Sequence, residues 1–287
     1  MRKLPVGDAI RFAYGFTLGQ LGTIIGLIWA PMVAIAVLNF LPYALGYTHA
    51  SPDQNPAAAG EAALESLFLA LAALLLSACV YVAVARQALG QRTGPAVFYF
   101  SLGSAEFRVF AAIVLLSFVM LAMLLGMSLA SGAALMFAGP AGPALALLLV
   151  LAGLCFMLVV LTRLGFLLVP IAVIENRIGF ERGWQLTAGN FWRIASVIFV
   201  VTLPGAIVFL GAIGWLMGPE LAKIVPLAGA LSQEVFADRV QAIMDKHIAE
   251  VIGINLIVAP FSLGLLMGAA AYGYKALTGT IPQPPSS

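Results

Sequence analysis

Arg163 is the residue whose surroundings most demand a chemical explanation. It stands in Leu161-Thr162-Arg163-Leu164-Gly165-Phe166, directly after 54 residues (109–162) that contain no Asp, Glu, Lys or Arg. A guanidinium in apolar surroundings is costly unless something pairs with it, so two readings stand. Arg163 either anchors the chain through snorkelling or structural pairing, or it contacts a substrate or a lipid headgroup directly. The chain's densest polar and aromatic segment follows, from Glu175 through Asn176, Arg177, Glu181, Arg182, Trp184 and Asn190 to Phe191-Trp192-Arg193. Arginine forks match carboxylate and phosphate, and indole rings settle at headgroup depth. The segment reads as a charged interfacial turn and helix, or as a phosphate-binding surface. Candidate lipid-headgroup or structural polar residues are therefore Arg163, Glu175, Arg177, Arg182, Trp184, Asn190, Trp192 and Arg193. Arg108, at an equivalent helix entry, joins them. In a straight helix Arg163 and Glu175 lie about 18 Å apart, so they pair only across a bend, which Pro170 can supply near Phe166. Arg177 with Glu181, and Glu181 with Arg182, are the easier pairs.

Other chemistries lack their residues. The two histidines, His49 and His247, have no partner at metal-ligand spacing. There is no Walker loop and no Gly-x-Ser-x-Gly elbow. The expected sets of catalytic, metal-binding and cofactor-binding residues are accordingly all none. Nucleic acid is not an expected partner, because the basic residues are scattered over several segments. Cys79 and Cys155 both sit in apolar runs and read as small buried hydrophobes.

These residues must be positioned by membrane helices. Hydrophobic residues make up 62% of the chain and charged ones 9%, a composition that excludes soluble and disordered classes. A charge at the bilayer centre costs roughly 2.5–3.5 kcal/mol, so charge-poor windows locate the spans. Six are expected, over 18–41, 65–86, 109–137, 143–174, 193–217 and 250–275, within a single membrane domain covering 1–287. The third and fourth are split by Gly139-Pro140-Ala141-Gly142-Pro143. The first apolar run is longer than a signal-peptide core, so no cleavable leader is expected.

An even number of spans puts both termini on one side. That side collects ten basic residues, Arg2, Lys3, Arg11, Arg86, Arg92, Arg108, Arg177, Arg182, Arg193 and Lys275; the other has Lys223, Arg239 and Lys246. The positive-inside rule makes the first side cytoplasmic. Segment 42–63 reads as a flexible external loop, and 219–249 as an external amphipathic segment with Leu231, Val235, Phe236, Val240 and Ile243 on one face. Three entries on the basic side echo one another: Phe16-Thr17-Leu18-Gly19, Phe100-Ser101-Leu102-Gly103 and Trp184-Gln185-Leu186-Thr187. The expected fold is thus all-α, three hairpin repeats each preceded by a short interfacial helix.

Arg163-Leu164, Pro170, Glu175 and Arg182-Gly183-Trp184-Gln185-Leu186-Thr187-Ala188-Gly189-Asn190-Phe191-Trp192-Arg193 together resemble a recurring signature. It is similar to the membrane domain fused to some bacterial glycerophosphodiester phosphodiesterases, and to stand-alone six-helix inner-membrane proteins related to it. The resemblance implies a bacterial cytoplasmic membrane and a six-helix bundle. It implies no phosphodiesterase activity, since that chemistry belongs to a separate soluble barrel. The expected function is a non-enzymatic, lipid-interacting membrane scaffold or accessory subunit. Membrane lipids are its expected partners, with a membrane-protein partner or homo-oligomer also open. The alternative is a small transporter or lipid-handling protein using Arg163 near the cytoplasmic leaflet. A transporter should present a polar cavity faced by Arg163, and a scaffold a dry bundle with Arg163 at headgroup depth.

Overall fold

The computed structural model describes residues 2–44, 56–92, 101–227 and 232–280, without the side chains of 42–44, 56–59, 227, 233 and 234. His49, Phe100, Leu231 and residues 45–55 of the expected 42–63 loop lie outside the described residues, while its flanks, 42–44 and 56–63, are helical rather than loop. Among these residues the secondary structure is helical: α1 (Val6–Ala44), α2 (Pro56–Leu89), α3 (Ser104–Phe137), α4 (Gly142–Val160), α5 (Leu168–Ile174), α6 (Phe180–Thr187), α7 (Phe191–Ile224), α8 (Gln233–Lys246) and α9 (Ile248–Thr278). Six helical stretches are long and apolar enough to cross a bilayer, α4 and α5 counting as one. The chain is an all-α, multi-pass membrane protein.

The helices outrun the expected spans, because backbone hydrogen bonding does not stop at the hydrocarbon boundary. α1 starts at Val6 and passes Gln20, where the backbone leaves helical geometry (φ −127°, ψ 18°). α7 runs through Pro219 to Ile224, so the first part of the expected 219–249 segment belongs to it. Pro219 forfeits one ladder bond there, yet the helix continues past it for another turn. Glu220, just beyond it, is held by Lys246 Nζ at 2.6 Å and lies 3.2 Å from His247 Nε2. The amphipathic helix is α8 alone. Its Phe236, Val240 and Ile243 are half-buried, whereas Asp238 and Arg239 are exposed.

α1 and α9 form the central pair, and α2 and α7 each lie against both. The α3–α4 hairpin stands outside, packed on α2 and α5. Its turn uses Gly139 at φ +54°, a conformation that favours glycine. Small residues close the central pair. A Cβ on Gly268 would lie 3.2 Å from Ala13 Cα and 3.0 Å from Phe16 Cδ1, and one on Gly264 would lie 2.8 Å from Thr17 Cγ2. Between membrane helices such close approach supplies the packing that water would otherwise drive.

Burial is concentrated at the end carrying both termini: Leu4 before α1 and Ala9 to Ile28 on it, Ala78 to Leu89 on α2, Ile194 to Val201 on α7 and Leu265 to Leu277 on α9. Towards the other end many apolar side chains are exposed, Val37, Phe40, Leu67 and Phe68 among them, as a lipid-solvated surface allows. On α7, Trp192 and Trp215 are 79% and 82% exposed, and at 1.5 Å per residue they stand about 34 Å apart. That interval matches the hydrocarbon thickness of about 30 Å between two aromatic belts. Cys79 is buried as expected. Cys155 is exposed, contrary to expectation, because α4 packs mainly on α3 and turns its other side outward; both thiols are free.

Candidate functional site

The polar segment is positioned by a break in the fourth span. After Val160 the ladder widens into a π turn over Leu161–Gly165, and Leu167 (φ −97°, ψ 1°) departs from helix before α5 begins. Pro170 falls in the first turn of α5, where its missing N–H costs nothing. α5 ends at Ile174, and Asn176 takes a left-handed φ of 55°. The chain thereby reverses, and α6 folds back against the π turn. A π turn inside a membrane helix reorients the side chains it carries, and Arg163 sits in the middle of this one.

Arg163 does not pair with Glu175 despite the bend. Its guanidinium carbon lies 4.4 Å from the centroid of the Trp184 ring on α6, a cation–π stack. Its Nε is shielded from solvent and hydrogen-bonds to nothing among the described residues. Trp184 itself is half-open to the surroundings, at 41% exposure.

Glu175 is the hub of a separate cluster. It accepts from Arg177 Nε at 2.9 Å, Arg182 Nε at 3.3 Å and the Tyr274 hydroxyl at 3.0 Å. The expected pairs of Glu181 with Arg177 and Arg182 do not form. The reversal at Asn176 swings both arginines round to Glu175, while Glu181 accepts from Gln185 Nε2 at 3.0 Å. Partial burial pushes the Glu175 carboxyl up, but the donors Arg177, Tyr274 and Arg182 and the charge of Arg177 outweigh it and hold the carboxyl below the ordinary glutamate range. A depressed carboxyl contributes stability that is fully present above the unfolded value and lost as pH falls through the folded one. Glu175→Gln should therefore narrow the stability loss below about pH 4.3, read as the difference between wild-type and variant thermal unfolding curves across acid pH.

Asn190 and Arg193 hold the N-terminal segment. The Leu4 N–H donates to Asn190 Oδ1 at 2.9 Å, Asn190 Nδ2 donates to the Arg2 carbonyl at 2.9 Å, and Arg193 Nη1 donates to the Leu4 carbonyl at 3.1 Å. Both Leu4 and Asn190 are buried. Asn190→Ala leaves a buried backbone donor unpaired and is expected to cost about 1–3 kcal/mol. Hydrogen exchange at Leu4 should speed accordingly, with Asn190→Asp intermediate because it keeps the acceptor. Arg108 Nη1 donates to Asn176 Oδ1 at 3.0 Å, linking α3 to the turn. Trp192 packs edge-on against Phe191, with ring centroids 5.0 Å apart.

The nine candidates thus divide into three groups at one end of the bundle: the Arg163–Trp184 stack, the Glu175–Arg177–Arg182 cluster with Arg108 bracing its turn, and the Asn190–Arg193 clasp beside exposed Trp192. Sequence reasoning missed two polar contacts nearby. Fully buried Glu106 accepts from Arg86 Nη1 at 3.0 Å and from the Gly103 N–H at 3.1 Å. Its place three residues into α3 was the available signal, since a glutamate there reaches back to cap the helix. Gln87 Nε2 donates to Gln20 Oε1 at 2.7 Å, tying the break in α1 to α2.

A cavity of about 420 Å³ lies elsewhere, among α1, α2, α7 and α9, and Arg163 does not line it. No group of three or more His, Cys, Asp or Glu residues is arranged to hold a metal ion among the described residues. In comparisons with protein-family models, with curated proteins and with solved structures, nothing matches this chain.

Proposed function

We propose that this chain is a non-enzymatic membrane scaffold of the cytoplasmic membrane whose basic end binds anionic lipid headgroups. The observation that carries the reading is the Arg163–Trp184 stack: a guanidinium held on an indole face, with no carboxylate partner among the described residues. Arg177 and Arg182 neutralise Glu175 and leave net positive charge beside it. Exposed Trp184 and Trp192 suit the headgroup layer at the same end. Both tails lie in the cytosol in this reading, as the ten-to-three distribution of basic residues favours. We also carry forward the likeness to the phosphodiesterase-associated membrane domain. The threefold repeat draws support from α6 preceding α7 as a separate short helix, and from the break at Gln20 dividing α1 into an entry and a span.

Native mass spectrometry of the full chain, titrated with phosphatidylglycerol or phosphatidylcholine, tests this function. Retention of phosphatidylglycerol in preference to phosphatidylcholine is expected, weakened about fivefold in Arg163→Ala by loss of one interfacial charge. Equal retention of the two lipids contradicts the reading, as does saturable solute uptake by proteoliposomes.

A further inference from the structure

The cavity among α1, α2, α7 and α9 has features that the headgroup reading does not use. It lies beside Ala206 on α7, between the Trp192 and Trp215 levels, about 21 Å from the first and 13 Å from the second by helix rise. That is inside the hydrocarbon layer, on the side away from the basic end. Its walls are mainly apolar, with Met32 and Phe209 among them, and four polar side chains converge on it: Ser77, Tyr81, Asn255 and Ser262. The Ser77 hydroxyl donates to the Ala73 carbonyl at 2.8 Å, which leaves its oxygen free to accept. Tyr81, Asn255 and Ser262 make no side-chain hydrogen bond among the described residues. Polar groups at this depth cost several kcal/mol when unpaired, so their convergence on one cavity calls for a shared partner.

The lining limits that partner. No charged residue takes part, which excludes an ionic head inside the cavity. The lining residues Ala206 and Asn255 are exposed, Met32 is half-buried, and Val80 and Gly205 are buried behind them. One turn to either side of Ala206, Leu203 and Leu210 are exposed on the same stripe of α7, so the opening faces acyl chains rather than water. Room is made at the back by Gly205, where an added Cβ would collide with Ser262 Oγ. The volume falls in the range of ligand pockets with apolar walls and a few orienting polar groups. Donors from Tyr81 and Asn255 suit ester carbonyls, and the Ser77 oxygen and Asn255 carbonyl suit a free hydroxyl.

We infer that this cavity binds an uncharged glycerolipid, of the diacylglycerol class, entering sideways from the bilayer. The inference stands independently of headgroup binding at the other end. The test uses the full chain in phosphatidylcholine nanodiscs containing a diacylglycerol with a diazirine on one acyl chain. After irradiation, adducts should concentrate on the peptides containing Met32 and Phe209 and be competed by unlabelled diacylglycerol. Ala206→Trp, which fills the opening, should reduce that labelling about tenfold. Tyr81→Phe removes only a hydroxyl and should reduce it about threefold with the unfolding temperature unchanged; it decides the matter if the bulkier variant does not fold. Equal cavity labelling by a phosphatidylcholine carrying the same diazirine chain would overturn the uncharged-ligand assignment. Adducts spread along α3 and α4 without competition would overturn the site itself.

Discussion

Replacing Glu106 by alanine should be the most damaging change to a polar side chain at the basic end, costing about 3 kcal/mol or more in unfolding free energy. Glu106 is fully buried and serves two partners at once, the Arg86 guanidinium and the Gly103 N–H at the start of α3. Removing it leaves a helix-end donor unpaired and takes from Arg86 the carboxylate that ties α2 to α3. Arg86 keeps 27% of its side chain exposed, so partial solvation places the cost at the lower end of the range for broken buried pairs. Glu106→Gln keeps an acceptor but not the charge, and about 1–2 kcal/mol is expected. Denaturant-driven unfolding in mild detergent measures both. An alanine variant within about 0.5 kcal/mol of wild type would mean that the pair adds nothing.

Gly268→Leu is expected to match or exceed that loss by forcing α1 away from α9. Even a single Cβ at Gly268 meets the Ala13 backbone at 3.2 Å, and backbone cannot swing aside as a side-chain tip can. Overpacking costs about 1–3 kcal/mol in ordinary cores. Here it also opens contacts along the central helix pair, so failure to accumulate as folded protein is the expected outcome. Gly268→Ala should fall between, since Phe16 can shift but Ala13 cannot. Gly126→Leu is the control: nothing lies within 4 Å of a Cβ there, and its unfolding should match wild type. A tolerated Gly268→Leu would contradict the packing described for the pair.

Much of this architecture is readable from residue type alone because lipid imposes simple rules. A charge-free run of adequate length must become a helix, so the long apolar helices could be counted before any coordinates. The polar end was only partly readable. Arg163, Glu175 and Arg182 stand out as charges near apolar runs, but who pairs with whom depends on a π turn and on left-handed Asn176, and neither has a sequence signature. A straight-helix estimate keeps Arg163 and Glu175 apart, yet the bend that could join them gives Arg163 to Trp184 instead. Asn190 looked like part of an aromatic entry motif; its partner, the backbone near Leu4, is 186 residues away. The cavity was invisible because Ser77, Tyr81 and Asn255 are unremarkable singly and meet only through packing.

The account depends on the tightly packed, arginine-rich end facing the cytosol. Reporter fusions test this directly: green fluorescent protein and alkaline phosphatase, each placed at the N-terminal tail, at the C-terminal tail and in the segment joining α7 to α8. The account predicts fluorescence without phosphatase activity at both tails, and phosphatase activity without fluorescence between α7 and α8. Phosphatase activity at either tail would contradict it.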